Sequence, residues 1–259
     1  MPDRIRLDGK VAVVTGAAGV IGTATIQLLA ARGSRIVAVD RREQDLKTAI
    51  KDLPESAQAV AITADVTRED EVAEYVRAAV HEFGTIDVFY NNAGIEGEIV
   101  SITKYPVETF RKVIDVNVVG VFLGLKHVLP VMLKQKSGSI INTASIAGLI
   151  GSPDVAVYSA SKHAVIGLTK SAALECAGTG VRVNCVCPGL IDSRMLSAII
   201  EGRNPGNAPI PNEKIVERIP ARRLGQASEV ASVVAFLASD DASYVSGSAY
   251  TVDGGRVAS

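Results

Sequence analysis

Short apolar runs alternate with longer segments of helical spacing along the 259 residues of this chain. Most runs are continuously apolar and rich in β-branched residues, which is typical of strands buried on both faces of a sheet. They are VAVVT (11–15), RIVAVD (35–40), AVAIT (59–63), DVFYN (87–91), SIINTAS (139–145), VRVNCVC (181–187) and AYTVDG (249–254). Strands that alternate with helices form right-handed βαβ units. The pattern therefore predicts an α/β fold with a doubly wound parallel sheet of about seven strands.

Turn-forming residues are concentrated in one stretch, EGRNPGNAPIPNEK (201–214), between the sixth predicted strand and the last predicted helix. No other stretch has the composition of a linker between domains. We therefore interpret residues 1–259 as one domain with a mobile lid or insertion around 190–220.

Composition and charge narrow the classes of partner. Hydrophobic residues make up 47% of the chain and charged residues 21%, which is enough for a large core. The net charge of −1 argues against a nucleic-acid partner. The most apolar stretch, 113–133, contains Asp115, Asn117, Lys126 and His127, so we expect no membrane span there. The first ten residues do not resemble a signal peptide.

The three cysteines are an odd number for a disulfide framework. Cys185 and Cys187 alternate along one predicted strand, where small apolar side chains pack well. Neither they nor His81, His127 and His163 show the spacing of a metal site. We expect a reduced, cytoplasmic protein without a bound metal.

The segment TGAAGVIG (15–22) lies between the first predicted strand and a predicted helix. Glycine at 16, 19 and 22 would let the backbone approach a pyrophosphate, and the helix N-terminus would supply N–H donors. The same loop equally suits a tight turn that only requires glycine. Because valine is disfavoured at positive φ, we expect Val20 in the first helical turn and a positive φ at Gly19. Gly19→Val should then abolish cofactor binding, whereas Val20→Gly should be tolerated.

Asp40 ends the second predicted strand, 24 residues after Gly16. An acidic residue at this place accepts the ribose 2′-hydroxyl of NAD. A 2′-phosphate would meet the carboxylate as a like charge, so NAD is favoured over NADP. Arg41 and Arg42 could neutralise such a phosphate, or they could be solvated charges at the start of a helix.

Tyr158 and Lys162, in YSASK, are four residues apart and would share one face of a helix. The phenol has an ordinary pKa of about 10, too high for a base at neutral pH. An ammonium about 4 Å away contributes roughly 4 kcal/mol at an effective dielectric constant near 20, or about 3 pKa units. The pair is therefore a candidate proton donor and acceptor. The alternative is a lysine that covers a tyrosine ring.

Two more polar residues occupy informative positions. Ser145 ends the fifth predicted strand, at the edge where parallel α/β sheets bind ligands, so its hydroxyl could donate to a substrate carbonyl. A serine in a turn is the alternative. Asn117 lies within a predicted apolar helix, where asparagine is unfavourable. Its amide would need buried partners such as water, unless the residue is on the surface.

Taken together, these residues resemble the short-chain dehydrogenase/reductase family, in its shorter branch, and the resemblance covers nearly the whole chain. Besides the glycine loop, the segments that resemble its motifs are ADV (64–66), NNAG (91–94), PGLIDSRM (188–195) and YVSGSAYTVDGG (244–255). The catalytic four of the family correspond in order and spacing to Asn117, Ser145, Tyr158 and Lys162. The resemblance implies a single-domain Rossmann fold, a bound NAD(P) and an oxidoreductase that transfers a hydride.

The resemblance also implies a role for each residue. Tyr158 would be the general acid/base, and Lys162 would lower its pKa and bind the nicotinamide ribose. Ser145 would polarise the substrate oxygen, and Asn117 would hold a water that relays protons from Lys162. The implied cofactor site is formed by Gly16, Gly19, Val20, Ile21, Gly22, Asp40, Arg41, Asp65, Val66, Asn92, Ala93, Gly94, Tyr158, Lys162, Pro188, Gly189, Ile191 and Ser193.

One departure from the family pattern concerns the glycine loop. The shorter branch usually has T-G-x-x-x-G-x-G, which would place glycine where this chain has Val20. The order T-G-x-x-G-x-x-G resembles the extended branch of the family, whereas every later motif resembles the shorter one.

The substrate pocket should lie near GIEG (94–97) and 189–218, and between Ser145 and Tyr158. Its predicted lining consists of Ile95, Ser145, Ala147, Tyr158, Leu190, Met195 and Leu196, together with Ile146 and Ile199. Because most of these residues are apolar, we expect a small hydrophobic secondary alcohol or ketone, including cyclic ones. Glu96 is the one acidic candidate, and it equally suits a solvated position.

Three functions remain open at this point. The first is an NAD-dependent dehydrogenase/reductase of such substrates, and the second an NADPH-dependent 3-oxoacyl-(acyl-carrier-protein) reductase. The third is a non-catalytic dinucleotide-sensing protein. Asp40 counts against the second, and the complete set of four polar residues counts against the third. Family members usually pair through the helix that carries Tyr158, so the resemblance also implies a homotetramer.

Overall fold

The structure is a computed structural model and describes residues 5–206 and 210–258. Its strands are β1 (Val11–Thr15), β2 (Arg35–Asp40), β3 (Ala59–Thr63), β4 (Val88–Asn91), β5 (Gly138–Thr143), β6 (Val181–Pro188) and β7 (Ala249–Val252). They form one seven-stranded parallel sheet in the order β3-β2-β1-β4-β5-β6-β7. The predicted parallel α/β sheet is thereby confirmed.

Some strands in the structure end one or two residues away from the predicted ends, because a capping or turn residue follows the strand. Strand β5 stops before Ser145, because the Ser145 side chain accepts the N–H of Ala147 and caps a short 3₁₀ turn. Strand β7 stops at Val252, because Gly254 and Gly255 have φ angles of +62° and +85°, outside the range of a strand.

Helices cover both faces of this sheet. They are α1 (Val20–Ala31), α2 (Glu43–Lys51), α3 (Glu69–Phe83), α4 (Val107–Ile114), α5 (Gly120–Gln135), α6 (Ala156–Glu175), α7 (Arg194–Arg203), α8 (Asn212–Val216) and α9 (Ala227–Ala238). In β1, Val11 and Val13 pack in a core cluster with α3, α5 and α6, whereas Ala12 and Val14 pack with α1, α2 and α9. Both faces of the strand are therefore buried, which explains its continuously apolar sequence.

A π turn, Asp115–Val119, joins α4 and α5 into one helical stretch. By length and composition this stretch, Val107–Gln135, is apolar enough to cross a membrane, and the expectation that it does not do so stays a prediction. Its hydropathy reflects core packing, because Val128 and Met132 are fully buried against the sheet. Buried core helices meet the same criterion.

The segment predicted as a mobile insertion is partly helical. Residues 201–203 complete α7, and α8 begins at Asn212. Residues 207–209 of this insertion lie outside the described residues. Helix α7 follows β6 and therefore lies at the carboxyl edge of the sheet.

The order of the strands reverses between β1 and β4, which are neighbours in the sheet. In open α/β sheets a crevice forms at this switch point, outside the carboxyl ends of the strands. Gly16 follows β1, Asn92 follows β4 and Ser145 follows β5. The fold thus brings the predicted site residues to one edge.

Candidate active site

A cavity of about 1410 Å³ opens at the carboxyl edge of the sheet. Small-molecule sites commonly measure about 300–1,000 Å³, so this cavity has room for a dinucleotide together with a small substrate. All the cofactor and substrate residues predicted from the sequence line it, as do the catalytic candidates Ser145, Tyr158 and Lys162. Asn117 lies behind the lining instead.

The glycine loop turns at Gly16, directly after β1. Its φ is +62°, and a Cβ there would lie 2.9 Å from the Cα of Ala93 in the loop after β4. The Gly19 N–H closes the turn on the Gly16 carbonyl at 3.1 Å, and α1 begins at Val20 as predicted. The expected positive φ at Gly19 was wrong. Its φ is −75°, because Gly19 is the extended residue that precedes the helix and the chain has already reversed at Gly16.

The loop and the start of α1 fit the pyrophosphate of a nicotinamide dinucleotide. Helix α1 begins without a side-chain cap and without an acidic residue in its first turn. Its free N–H groups and the positive end of its dipole are therefore available to an anion. A Cβ at Gly22 would lie 2.1 Å from the Gly16 carbonyl oxygen, so glycine is required for the loop to lie this close to the helix.

The end of the cavity near Lys162 also requires a glycine, at position 94. A Cβ at Gly94 would lie 3.2 Å from Asn117 Oδ1 and 3.4 Å from Lys162 Nζ. Glycine at this position keeps the space in front of both polar groups open.

The Asp40 carboxylate faces the glycine loop. Its Oδ2 accepts the N–H of Ala18 at 3.1 Å, and its Oδ1 accepts the N–H of Arg42 at 3.2 Å. Arg41 lines the cavity beside it, and the Arg42 guanidinium pairs with Asp45 at 2.9 Å. A negative charge therefore lies at the end of β2, where the sequence predicts the ribose contact.

The Asp65 side chain is partly engaged in its own turn. Its Oδ1 accepts the Thr67 N–H at 2.9 Å and the Thr67 hydroxyl at 2.7 Å. Asp65 and Val66 still line the cavity, so the adenine contact inferred from the resemblance stays a prediction.

Two threonines that the sequence analysis missed hold the NNAG loop. Thr15 Oγ1 accepts the N–H of Asn92 at 2.9 Å, and the Asn92 amide nitrogen donates to the Thr15 carbonyl at 3.1 Å. The Thr143 hydroxyl donates to Asn92 Oδ1 at 3.1 Å. Both threonines are the last residues of their strands, and that position is the signal that could have found them.

Tyr158 and Lys162 lie on one face of α6, as predicted, and both are buried. Lys162 Nζ donates to the Thr143 carbonyl at 2.7 Å and lies 5.6 Å from the centre of the Tyr158 ring. The buried Ser145 hydroxyl interacts with the phenol from the turn that follows β5. The three side chains therefore converge at one point of the cavity.

Burial controls the pKa values of this group. It raises the pKa of Tyr158 to about 12, although the Ser145 hydroxyl acts in the opposite direction. Desolvation of the phenolate is the largest of these effects, so the Tyr158 pKa lies above its ordinary value, and the lowering of this pKa by Lys162 stays a prediction. Burial also lowers the pKa of Lys162 to about 8, since the charged ammonium is disfavoured in the interior.

Asn117 lies in the π turn and is fully buried, so the surface alternative is wrong. Its Oδ1 accepts the N–H of Ile95 at 2.8 Å, and its Nδ2 donates to the Ile95 carbonyl at 2.9 Å and to Ser161 Oγ at 3.0 Å. The partners of the amide are thus protein groups. Ser161, which the sequence analysis missed, donates in turn to the Tyr158 carbonyl at 2.7 Å.

The substrate side of the cavity has an apolar wall. Its cluster consists of Ala147, Val155 and Tyr158, packed against Ile99, Met195 and Ile199. Val155 and Ile99 were not predicted, because nothing in their sequence neighbourhood distinguishes them from ordinary core residues. Glu96 was expected to suit a solvated position. The residue as a whole is only 9% exposed, and its carboxylate pairs with Arg194 at 3.0 Å.

The segment after β6 passes along the cavity and leads into α7. The Gly189 N–H donates to the Val252 carbonyl at 3.0 Å, which ties the segment to β7. Ser193 caps α7, because its hydroxyl oxygen accepts the Leu196 N–H at 3.3 Å. The hydroxyl that was predicted to contact the cofactor therefore has a structural partner as well.

Within residues 5–206 and 210–258, no group of three or more His, Cys, Asp or Glu side chains is arranged to hold a metal ion. Cys185 and Cys187 are fully buried in the core beside α6, as their alternation predicts.

Comparisons with known proteins give a consistent result. A family model described as enoyl-(acyl carrier protein) reductase, within the short-chain dehydrogenase/reductase family, matches residues 16–256. The chain is 40% identical to levodione reductase from Leifsonia aquatica over 98% of its length and 96% of that protein. It is 40% identical to a 3-oxoacyl-(acyl-carrier-protein) reductase from Thermotoga maritima, with 98% and 100% covered. It is 41% identical to cyclohexanol dehydrogenase from Acinetobacter sp., with 96% and 95% covered.

Solved structures agree with this placement. The crystal structure of levodione reductase superposes with a TM-score of 0.95 at 39% identity and covers 98% of this chain and 100% of its own. NAD⁺-bound xylitol dehydrogenase superposes with a TM-score of 0.93 at 38% identity, with 96% and 99% covered. Together with the strand order, the glycine loop and the buried Ser145, Tyr158 and Lys162, these matches mean that the chain belongs to the short-chain dehydrogenase/reductase family.

Proposed function

We propose that this chain is an NAD-dependent oxidoreductase of small hydrophobic secondary alcohols and ketones, including cyclic ones. The observation that carries the proposal is the convergence of Ser145, Tyr158 and Lys162 beside an apolar wall, in the same cavity as the glycine loop. The names of levodione reductase and cyclohexanol dehydrogenase, both about 40% identical, support a cyclic ketone or alcohol.

The proton chemistry belongs to the chain's own residues. In the reducing direction the Tyr158 hydroxyl donates its proton to the carbonyl oxygen of the substrate, while the Ser145 hydroxyl donates a hydrogen bond to the same oxygen. A bound nicotinamide supplies or accepts the hydride. Because the pKa of Tyr158 is about 12, the phenol is protonated at neutral pH and ready to act as the acid. Oxidation requires the phenolate, which a positive charge at Lys162 stabilises.

Lys162 and Asn117 hold the surroundings of Tyr158 and Ser145 in place. Lys162 is fixed by its hydrogen bond to the Thr143 carbonyl, and by family resemblance it also binds the nicotinamide ribose. Asn117 fixes Ile95 on one side and Ser161 on the other. By family resemblance, Asn117 would in addition hold a water at this π turn that relays protons from Lys162.

The preference for NAD rests on Asp40. Its carboxylate lines the cavity at the end of β2, and a 2′-phosphate there would meet a like charge. The NAD⁺-bound xylitol dehydrogenase supports the same cofactor. The alternative is an NADPH-dependent 3-oxoacyl-(acyl-carrier-protein) reductase, which the Thermotoga maritima relative favours. A non-catalytic dinucleotide sensor is disfavoured, because burying the polar side chains of Ser145 and Lys162 costs free energy and a sensor would not need them.

We further propose a cytoplasmic homotetramer of one-domain chains, with the segment 190–220 as the lid. Small residues on the exposed side of α6, Ala160, Gly167 and Ser171, permit close approach of a second helix. Size-exclusion chromatography with light scattering tests the assembly.

The direct test is a panel of ketones and alcohols assayed with both cofactors. We expect turnover of cyclohexanone with NADH and of cyclohexanol with NAD⁺. Turnover of 3-oxoacyl thioesters with NADPH and not of these ketones would favour the alternative enzyme. Tight NADH binding without any turnover would favour the sensor.

A further inference from the structure

The ion pair between Glu96 and Arg194 differs from the others in the described part of the chain. The Glu96 side chain is 11% exposed, whereas every other carboxylate in an ion pair there is at least 38% exposed. Burying a carboxylate costs free energy, and an ion pair whose arginine is exposed commonly contributes little net stability. The position of this pair therefore requires a reason other than stability.

Glu96 is held in place from both sides. Its neighbour Ile95 exchanges two hydrogen bonds with Asn117. On the other side the Glu98 N–H donates to the Tyr105 hydroxyl at 3.1 Å. The carboxylate lies close enough to the reaction centre to raise the pKa of Tyr158.

Arg194 is the member of this ion pair that lines the cavity. It is the first residue of α7, it lines the cavity, and its side chain is 76% exposed. Its Nη1 and Nη2 donate to the two oxygens of Glu96 at 3.0 and 3.4 Å. Two of the five N–H donors of the guanidinium are thus used, and three remain for another acceptor.

The pair is not the only anchor of α7. At the other end of the helix, Arg203 donates to Ser152 Oγ at 2.8 Å and to the Pro153 carbonyl at 2.9 Å. Met195 and Ile199 pack against the apolar cluster around Tyr158. Because these contacts already hold the helix, the Glu96–Arg194 pair is available for recognition of a ligand.

We propose that Arg194, oriented by Glu96, is a polar subsite that binds a second, uncharged oxygen of the substrate. The preferred substrates are then bifunctional, namely hydroxyketones, diketones and diols. Glu96 neutralises the guanidinium, so a carbonyl or hydroxyl oxygen suits the subsite better than a carboxylate. This inference rests on the proposed function, because it names the substrate class of the same site.

The test compares kcat/KM for matched ketones with NADH. The probes are 3- and 4-hydroxycyclohexanone, 3- and 4-methylcyclohexanone, and 4-oxocyclohexanecarboxylate. We expect the wild type to prefer the better hydroxyketone over its methyl analogue by at least about tenfold, the scale of one well-made hydrogen bond to a charged group. Arg194→Met should reduce this ratio to within about threefold of one. Arg194→Lys keeps the charge without the planar fork and should lose most of the ratio.

Three controls make the outcome unambiguous. Lys47→Met removes an exposed ion pair with Glu43 on α2 and should leave every ratio as in the wild type. Melting temperatures establish that the Arg194 variants are folded, and the double variant with Glu96→Gln removes the unpaired carboxylate that Arg194→Met leaves. An unchanged ratio in folded Arg194→Met overturns the inference, as does a preference of the wild type for the carboxylate. Failure of every ketone with both cofactors overturns the proposed function and this inference with it.

Discussion

The side-chain amide of Asn117 and the backbone of Ile95 exchange two hydrogen bonds, of 2.8 and 2.9 Å. The contact joins the π turn between α4 and α5 to the loop after β4, and the third hydrogen bond of the amide reaches α6 through Ser161. A single buried side chain thus fixes three elements around Lys162. Its polar groups are all satisfied within the protein, which accounts for an asparagine in an otherwise apolar helix.

Asn117→Ala should therefore affect stability as well as catalysis. It leaves the N–H and the carbonyl of Ile95 without their partner, and we expect a loss of about 2–4 kcal/mol in the free energy of unfolding. Ser161→Ala removes one of the three hydrogen bonds and should cost about 1 kcal/mol. Urea unfolding measures both. Equal stability of Asn117→Ala and the wild type would contradict the structural role of the amide.

The three glycines of the loop should respond differently to alanine. Gly16→Ala places a Cβ at positive φ and 2.9 Å from Ala93, and Gly22→Ala places one 2.1 Å from the Gly16 carbonyl. We expect each to lose at least about 2 kcal/mol in the free energy of unfolding. Gly19→Ala has ordinary dihedrals, and its Cβ meets only the Gly16 carbonyl at 3.3 Å, so its loss should stay within about 1 kcal/mol. A larger loss at Gly19 than at Gly16 would contradict this loop geometry.

Asp40→Ser should change the choice of cofactor. Removal of the carboxylate leaves Arg41 at the cavity without an adjacent negative charge, so the ratio of kcat/KM for NADPH to that for NADH should rise by at least about tenfold. Steady-state kinetics with both cofactors measure the ratio. Asp52→Ser, which removes an exposed carboxylate at the end of α2 and outside the cavity, is the matched control. A wild type that already prefers NADPH would show that Asp40 does not select the cofactor.

Lys162 should make stability depend on pH in the alkaline range. Its pKa is about 8 in the folded protein against an ordinary 10.5, so between these values the unfolded chain binds more protons than the native state. By linkage, the free energy of unfolding then rises with pH, by about 3 kcal/mol over the whole interval from this group. Lys162→Met should lack this rise, and Lys170→Met, an exposed lysine of the same helix, serves as the control. Parallel pH profiles of Lys162→Met and the wild type would contradict the burial of a charged ammonium.

The sequence predicts the sheet well because strands buried on both faces require continuous apolar runs, as β1 and β2 show. It also predicts which polar residues reach the site, since Asp40 ends its strand and Asn92 and Ser145 follow theirs within two residues. It does not predict contacts between distant segments. The positive φ falls on Gly16, which lies against Ala93, and the buried Glu96 pairs with an arginine 98 positions away. The high pKa of Tyr158 likewise depends on burial, which spacing alone does not reveal.

The most direct measurement of the central claim is the NADH-dependent reduction of a cyclic ketone by Tyr158→Phe. The variant keeps the ring against Ala147 and Val155 and loses only the hydroxyl that donates the proton. We predict that kcat falls by at least about 100-fold, the usual contribution of general acid catalysis, while the dissociation constant of NADH stays within about threefold. Turnover close to that of the wild type would contradict the assignment of Tyr158 as the proton donor.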